Sequence, residues 1–166
     1  MVLLSAYLQN YTNEIIIYLW PPKINLVQEM LIMNEVVEFL KENPVQYFAT
    51  LGLDGKPKVR PFQFMLEQDG KLYFCTNNQK DVFAQIQKCP YVEVTTSSPK
   101  FAWIRLNGKA VFSKDIEIKK AIIAHSGLVK SLYQTAENPI FEIFYLENAK
   151  AVIADFSGNA PKEYTL

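Results

Sequence analysis

Two segments of the sequence combine side chains that could bind an anion. One is VRPFQF, where Arg60 stands beside Pro61, and the other is FCTNNQK, where Thr76 and two asparagines precede Lys80. Proline cannot donate to a strand ladder, so Pro61 indicates an edge or a bulge, where side chains are often directed at a ligand. A strand end followed by a helix N-terminus offers free backbone N–H groups and the positive end of a helix dipole.

Arg60 and Lys80 therefore predict a site for one phosphate group, provided that the strands carrying them are neighbours. This condition depends on the register of the first hairpin. The alternative interpretation is a capped helix whose lysine is simply solvated. A Gly-rich phosphate loop of either common kind is absent from the sequence.

The composition excludes several other kinds of chemistry. The 17 basic and 17 acidic residues balance, which removes the broad attraction needed for non-specific binding to nucleic acid or to an acidic membrane. Cys75 and Cys89 form no CxxC or Cys/His cluster, so neither zinc nor a disulfide framework is expected. His125 lies in an apparent helix, where a capping or surface role is expected. We find no Ser/His/Asp triad, assign no catalytic residue, and expect a cytoplasmic protein with reduced thiols.

The first 32 residues need a separate interpretation. VLLSAYLQNYTNEIIIYLW is apolar but interrupted by polar residues, and it is too short and too polar to span a bilayer. It also lacks the basic start of a signal peptide, since Lys23 is the first positive residue. We expect residues 1–32 to be an extension that packs on the domain or on a dimer partner, and residues 33–166 to form the domain.

Hydrophobic periodicity predicts the elements that must position the candidate residues. Helical spacing over residues 24–42 gives way to a period of two from Val45 onward. Asp54-Gly55 and Asp69-Gly70 predict tight turns in a three-stranded meander. The later elements are predicted to be, in order, the helix QKDVFAQIQK, the strands YVEVTTS and FAWIRLNGKAVFS, a helix over residues 115–134 with a break at Gly127, and a closing hairpin FEIFYLE/AKAVIAD around Asn148.

This order of elements predicts a mainly β fold with peripheral helices. Consecutive strands joined by tight turns favour an antiparallel barrel, whereas a Rossmann-type sheet needs long crossovers. The sequence shows no repeats, linkers or low-complexity tracts.

From Asn34 to Gly158 the sequence resembles the FMN-binding split-barrel family of pyridoxamine 5'-phosphate oxidase-like proteins. The resemblance is carried by the strand-turn-strand ATLGLDGKPKVRPF, by LYFCTNNQKDVFAQIQKCPYVEV, and by WIRLNGKAVF. It implies an antiparallel split β-barrel with short helices that binds FMN at the interface of a homodimer.

The resemblance also implies which residues contact the flavin. The second strand would run along the ring, and the end of the third strand with its following lysine would hold the phosphate. The strand before Gly108 would contribute across the dimer interface. The residues so assigned are Arg60, Pro61, Phe62, Gln63, Phe64, Cys75, Thr76, Asn77, Lys80, Trp103 and Arg105.

Several of these residues also have a purely structural interpretation. Phe62 and Phe64 could be core residues, and Trp103 could pack at an interface. Arg105 could pair with a carboxylate. Cys75 is expected to contribute its backbone and not its thiol, because no neighbouring cation evidently lowers the pKa of that thiol.

The function implied by the resemblance is redox chemistry on a small molecule. The oxidases proper carry a C-terminal segment with tryptophan, arginine and histidine that has no counterpart here, so vitamin B6 oxidation is not expected. We expect a flavin reductase or oxidase that uses FMN with NADH or NADPH, similar to short members linked to nitroimidazole reduction. The alternatives are a non-catalytic FMN carrier or sensor and a haem-handling protein on the same barrel.

Overall fold

The computed structural model of the chain describes residues 24–166, and the predictions for the segment before Ile24 lie outside this range. The described elements are α1 (Ile24–Glu42), β1 (Gln46–Leu51), β2 (Pro57–Phe62), β3 (Phe64–Gln68), β4 (Lys71–Asn77), α2 (Asp81–Lys88), β5 (Tyr91–Ser97), β6 (Trp103–Ser113), α3 (Ile116–His125), α4 (Gly127–Tyr133), β7 (Phe141–Ala154) and β8 (Lys162–Thr165). Residues 24–34 belong to a first compact unit and residues 35–166 to a second. Among the described residues, no helix is long and apolar enough to cross a membrane.

The strands of the second unit form one antiparallel sheet in the order β2-β1-β5-β6-β7-β4-β3, with β8 added to β7. The two edge strands of this order, β2 and β3, are consecutive in the chain and are separated by Gln63 alone. A sheet whose opposite edges are joined by one residue must curl on itself. The fold is therefore mainly β, an antiparallel split barrel with short helices, as the sequence predicts.

Both predicted tight turns are present. Gly55 has a φ of 75° between β1 and β2, and Asp69 and Gly70 have φ values of 52° and 72° between β3 and β4. In the two-residue β3–β4 turn, positive φ at both central residues lets the turn follow the twist of its strands. The β1–β2 connection is longer, covering residues 52–56, and has positive φ at Gly55 only.

The predicted closing hairpin around Asn148 is wrong. β7 is one strand from Phe141 to Ala154, and Asn148 stands inside it with a φ of 52°. The β6–β7 register shifts here, pairing Asn107 with Lys150 but Lys109 with Glu147. An asparagine can adopt positive φ to form a β-bulge without reversing the chain, so the turn-like signal came from a bulge.

Two further differences concern strands. The predicted second strand is divided at Gln63, since β2 pairs with β1 and β3 pairs with β4. The short strand β8 was not predicted. Its Lys162 Nζ and Tyr164 hydroxyl both donate to the Glu35 carboxylate, at 2.5 and 2.6 Å. These hydrogen bonds hold the pKa of Glu35 below its usual range.

The core has two parts, which lie on opposite sides of β4. Inside the barrel, the Phe48 and Phe62 rings stack at 4.6 Å and the Phe74 and Phe144 rings at 5.7 Å. On the other side, beneath α3 and α4, a second cluster includes Met65, Tyr73, Ile118, Ile122, Tyr133 and Phe141. Alternation along β4 therefore directs Leu72, Phe74 and Thr76 inward.

Candidate functional site

Arg60 lies at the end of the barrel interior that α2 covers. Its Nη1 donates to Phe48 O at 3.2 Å and to Thr50 Oγ1 at 2.6 Å, and its Nη2 donates to Gln85 Oε1 at 2.8 Å. Arg60 is opposite Phe48 in the β1–β2 register, which explains why its side chain runs along β1 toward Thr50. Three of the five guanidinium N–H groups are thus used by described residues, and two can still donate.

The contact between Gln85 and Arg60 was not predicted from the sequence. Gln85 is buried on α2 beside Val82 and Ile86, at the helical spacing of an apolar face. A glutamine within such an apolar stripe was the available signal, because a buried amide needs hydrogen-bond partners. Here its Oε1 accepts from both Thr50 and Arg60.

Thr76 presents a buried hydroxyl with no protein partner. It is 2% exposed, and among the described residues its Oγ1 is the only buried side-chain polar atom that makes no hydrogen bond. Leaving such a group unsatisfied costs about 1–3 kcal/mol. An unpartnered inward-facing hydroxyl at a strand end is therefore a place where an oxygen atom of a bound group would fit.

The segment from Asn77 to Lys80 is a tight turn that delivers the chain into α2. Lys80 N donates to Asn77 O at 3.1 Å, and Gln79 N donates to Asn77 Oδ1 at 2.7 Å. The Asn77 side chain thus shapes the turn. Lys80 is the N-cap of α2 but makes no side-chain capping bond, and its own side chain is exposed. The first turn of α2 therefore keeps backbone N–H groups without a side-chain cap, next to a lysine.

Arg60 and Lys80 both lie near α2, but the strands before them are not the neighbours that the sequence analysis required. β2 pairs with β1 and not with β4, so the two residues are not on neighbouring strands. Instead, Arg60 reaches α2 through Gln85. Burial lowers the pKa of Arg60, and the Asp81 carboxylate in the first turn of α2 acts in the opposite direction. Arginine stays protonated under such shifts, so the site remains cationic.

The residues around the split, which is the break at Gln63 between β2 and β3, have different environments. Phe62 stacks on Phe48 and Phe64 is buried against Phe74, which supports the core interpretation of both rings. Pro61 and Gln63 are exposed.

Gln63 lines a cavity of about 530 Å³ together with Leu40, Lys41, Pro44, Phe64, Met65, His125, Ser126, Gly127 and Leu128. His125, for which the sequence predicts a capping or surface role, is exposed and lies at this cavity.

Cys75 faces the cluster beneath α3 and α4 and not the barrel interior. Burial raises the pKa of its thiol to about 12, although the Lys80 charge acts in the opposite direction. The thiol is thus protonated and unreactive at neutral pH, in line with the expectation that only the backbone of Cys75 contributes. Both Cys75 and Cys89 are free thiols.

Trp103 and Arg105 lie on the outer face of the sheet, away from the polar groups around Arg60. Arg105 is opposite Thr95, and Thr95 is opposite Tyr47, which places Arg105 on the face that Phe48 does not share. The Arg105 guanidinium pairs with Glu93 at 3.1 Å, so the expected carboxylate partner is present. Trp103 packs against Phe156 at 5.1 Å between ring centroids.

This outer face, called here the open face, carries several exposed apolar residues. Val59 is 63% exposed, Tyr47 48% and Tyr91 71%. They lie on three adjacent strands, β2, β1 and β5, and the strand register places them on the same face of the sheet as Arg105. Exposed apolar side chains grouped on one face are typical of an interaction surface.

Within the described range, no group of three or more metal-ligating side chains is found.

Solved structures of other proteins resemble this fold. A NimC/NimA family protein from Clostridium acetobutylicum is 31% identical, with a TM-score of 0.78 over 87% of this chain and 99% of the other. General Stress Protein 26 from Bacillus anthracis is 17% identical, with a TM-score of 0.65 over 81% and 98% of the two chains. A heme binding protein from Mycobacterium smegmatis is 18% identical, with a TM-score of 0.63 over 81% and 57%.

No curated protein sequence matches the chain. The family model described as pyridoxamine 5'-phosphate oxidase matches residues 32–151, which include Gln63, the turn before α2 and the open-face strands β1, β2, β5 and β6. The chain therefore belongs to the pyridoxamine 5'-phosphate oxidase-like family of split barrels.

Proposed function

We propose that this protein binds FMN and is an oxidoreductase acting on a small molecule. The observation that carries the proposal is the buried, unpartnered Thr76 hydroxyl at the end of the barrel where Arg60 and α2 meet. A hydroxyl donor, a guanidinium with two N–H groups left and a helix N-terminus form a donor set that suits a phosphate.

In this proposal, Lys80 and Arg60 neutralise the phosphate from two sides. The Thr76 hydroxyl donates to one phosphate oxygen, and the first turn of α2 supplies backbone donors. Asn77 acts through its backbone, because its side chain already holds the turn. A site built for one terminal dianion favours FMN over FAD, because each phosphate of FAD carries one ester and one anhydride linkage and only a single negative charge.

The flavin would supply the hydride and electron chemistry, and the protein would supply binding and orientation. The backbone from Arg60 to Phe64 would lie along the ring, while the Phe62 and Phe64 side chains stay in the core. The cavity beside Gln63 would take the second substrate. Its apolar walls with Lys41, His125 and Ser126 at the rim suit a small planar molecule with a polar group.

The open face supports a homodimer as part of the same proposal. Exposed Val59, Tyr47 and Tyr91 would be covered by a second copy, since closed two-fold dimers are the commonest way to cover such a face. Trp103 and Arg105 would then approach the flavin of the partner subunit. Free thiols favour a cytoplasmic location.

A haem-handling function is the second candidate, because one structural relative is described as a heme binding protein. Another is described as an F420 reductase, at 19% identity and a TM-score of 0.50. Against haem, His125 is the only histidine of the sequence and stands at an exposed helix end. A non-catalytic FMN carrier would share the phosphate site and differ only in having no turnover.

The test is to measure absorption spectra of the purified protein with FMN, FAD, F420 and haem, and then FMN reduction by NADH and NADPH. Lys80→Ala should weaken FMN binding about ten- to a hundredfold, because a charge-assisted contact to phosphate is worth about 1.5–3 kcal/mol. Lys114→Ala, an exposed lysine between β6 and α3, is the matched control. Unchanged FMN affinity in Lys80→Ala, measured by flavin fluorescence quenching, would contradict the phosphate assignment.

A further inference from the structure

Gln46 hydrogen-bonds to two parts of the fold, the end of α1 and the start of β3. It is fully buried, with 0% exposure, and stands at the first position of β1. Its Nε2 donates to Leu40 O at 2.9 Å and to Asn43 O at 3.2 Å. Its Oε1 accepts from Phe64 N at 2.5 Å.

These three bonds connect the end of α1 with the start of β3. The last carbonyl groups of a helix have no intrahelical partner, and the Gln46 amide satisfies that of Leu40 and also binds the carbonyl of Asn43, the residue after the helix. Phe64 N belongs to the residue at which the chain leaves the β1 edge and joins β4. Only an amide of this length both donates to two carbonyl groups and accepts from a backbone N–H.

We propose that Gln46 is a positioning residue for the flavin site, acting through the backbone of the split. By fixing Phe64 N, it fixes the peptide group that joins Phe64 to Gln63, the one residue between the two edge strands. This inference rests on the proposed function, in which the backbone from Arg60 to Phe64 lies along the flavin ring. Gln46 itself is buried and touches neither the ring nor the substrate.

A helix-capping role alone would give a different result, and Asn43 provides the comparison. Asn43 is also buried, and its Nδ2 donates to Phe39 O at 2.9 Å. It therefore caps the same turn of α1 but makes no side-chain contact with the split. Removing the Asn43 side chain tests the cap, whereas removing the Gln46 amide tests the cap together with the link to Phe64.

The experiment compares Gln46→Met and Asn43→Ala, first without flavin and then with FMN. In Gln46→Met, hydrogen exchange at the Phe64 amide should accelerate about tenfold or more, because its N–H loses its hydrogen-bond acceptor. The same variant should bind FMN about tenfold more weakly and show a shifted visible spectrum and reduction potential. Asn43→Ala should lower thermal stability while leaving Phe64 exchange, the flavin spectrum and the potential unchanged.

A measurement on the wild-type protein covers the case in which Gln46→Met does not fold. The NMR signals of the Gln46 side-chain amide and the Phe64 backbone amide should both shift on FMN addition, and the Asn43 side-chain amide should not. Absence of these shifts would overturn the inference. So would wild-type FMN affinity and spectrum in folded Gln46→Met. If the wild-type protein takes up no FMN at all, the proposed function fails and this inference fails with it.

Discussion

Arg60 and Gln85 are joined by a 2.8 Å hydrogen bond from Nη2 to Oε1, which connects the edge strand β2 with helix α2. The same Oε1 accepts from Thr50 Oγ1 at 2.6 Å, so one glutamine holds two polar groups of the β1–β2 hairpin. The orientation of the guanidinium therefore depends on the helix that would also supply backbone donors to a phosphate. Strand β2 and helix α2 are therefore coupled in the candidate phosphate site.

Removing the Gln85 amide should weaken phosphate binding without removing any charge. In Gln85→Met, Arg60 loses an acceptor that orients it, and we expect FMN affinity to fall roughly tenfold, equivalent to about 1.4 kcal/mol. Gln87→Met, at an exposed position of the same helix, should leave the affinity unchanged. Fluorescence titration of both variants checks this, and equal affinities would show that Arg60 needs no support from α2.

The open face should be the dimer interface. Val59→Lys introduces a charge at a 63% exposed position of this face and should give a monomer by light scattering at micromolar concentration. Leu128→Lys is the matched control, since Leu128 is 64% exposed on α4 and lies outside the open face. Burying an unpaired charge in an interface core is costly, whereas the same charge in water is not. A wild-type monomer, or a Val59→Lys dimer, would reject the assignment.

Residues 1–32 should be dispensable for FMN binding. All residues assigned to the flavin lie between Arg60 and Arg105, and the family match begins at residue 32. A chain starting at Met33 loses the first part of α1 and the apolar run IIIYLW, whose burial would be worth about 1.5–3 kcal/mol for each large side chain. This chain should bind FMN but melt at a lower temperature or aggregate. If it is folded and dimeric yet cannot be reconstituted with FMN, the placement of the site is wrong.

Alkaline pH should destabilise the fold partly through Cys75. The folded-state pKa of this thiol is raised to about 12 by burial, above its unfolded value of about 8.5. Below the unfolded pKa the thiol is protonated in both states and its contribution to the free energy of unfolding is fully present. Between that value and about 12 the unfolded state loses the proton first, so the free energy of unfolding falls as the pH rises. Tyr133, whose pKa burial also raises to about 12, acts in the same direction.

Chemical denaturation at pH 8 and at pH 10.5 measures this effect. The loss of stability between the two pH values should be smaller in Cys75→Ala than in the wild-type protein. Cys89→Ala should lose as much stability as the wild-type protein. An equal loss in all three proteins would mean that the Cys75 thiol ionises freely in the folded state.

The elements with a strong local pattern could be predicted from the sequence. The Asp-Gly pairs predict the two turns because positive φ is nearly confined to such residues, and α1 follows from its spacing and from Pro44. Local patterns could not reveal the break at Gln63, because the chain remains extended on both sides of it. β8 has too few residues for a periodic signal, and it is held by Glu35 from the other end of the unit.

In the candidate site, too, residues with a local sequence signal could be predicted and residues that depend on distant partners could not. Arg60 and Lys80 could be found by residue type, because an arginine beside a strand proline and a lysine at a helix start are local signals. Gln85 and Gln46 could not, since their importance comes from partners distant in sequence, at Arg60 and at Phe64. Asn148 gave a misleading signal because its preference for positive φ is the same in a turn and in a bulge.

The joining of β2 and β3 by a single residue has a consequence for how the barrel folds. The hairpins β1–β2 and β3–β4 involve only nearby residues, so each can form quickly by itself. Closing the sheet then requires β7 to pair with both β4 and β6, across a stretch of chain that includes α3 and α4. Such non-local contacts have a high loop-closure entropy and give high contact order, typical of folding in milliseconds to seconds. Because the aromatic interior closes only when β7 pairs, we expect this pairing to limit the folding rate.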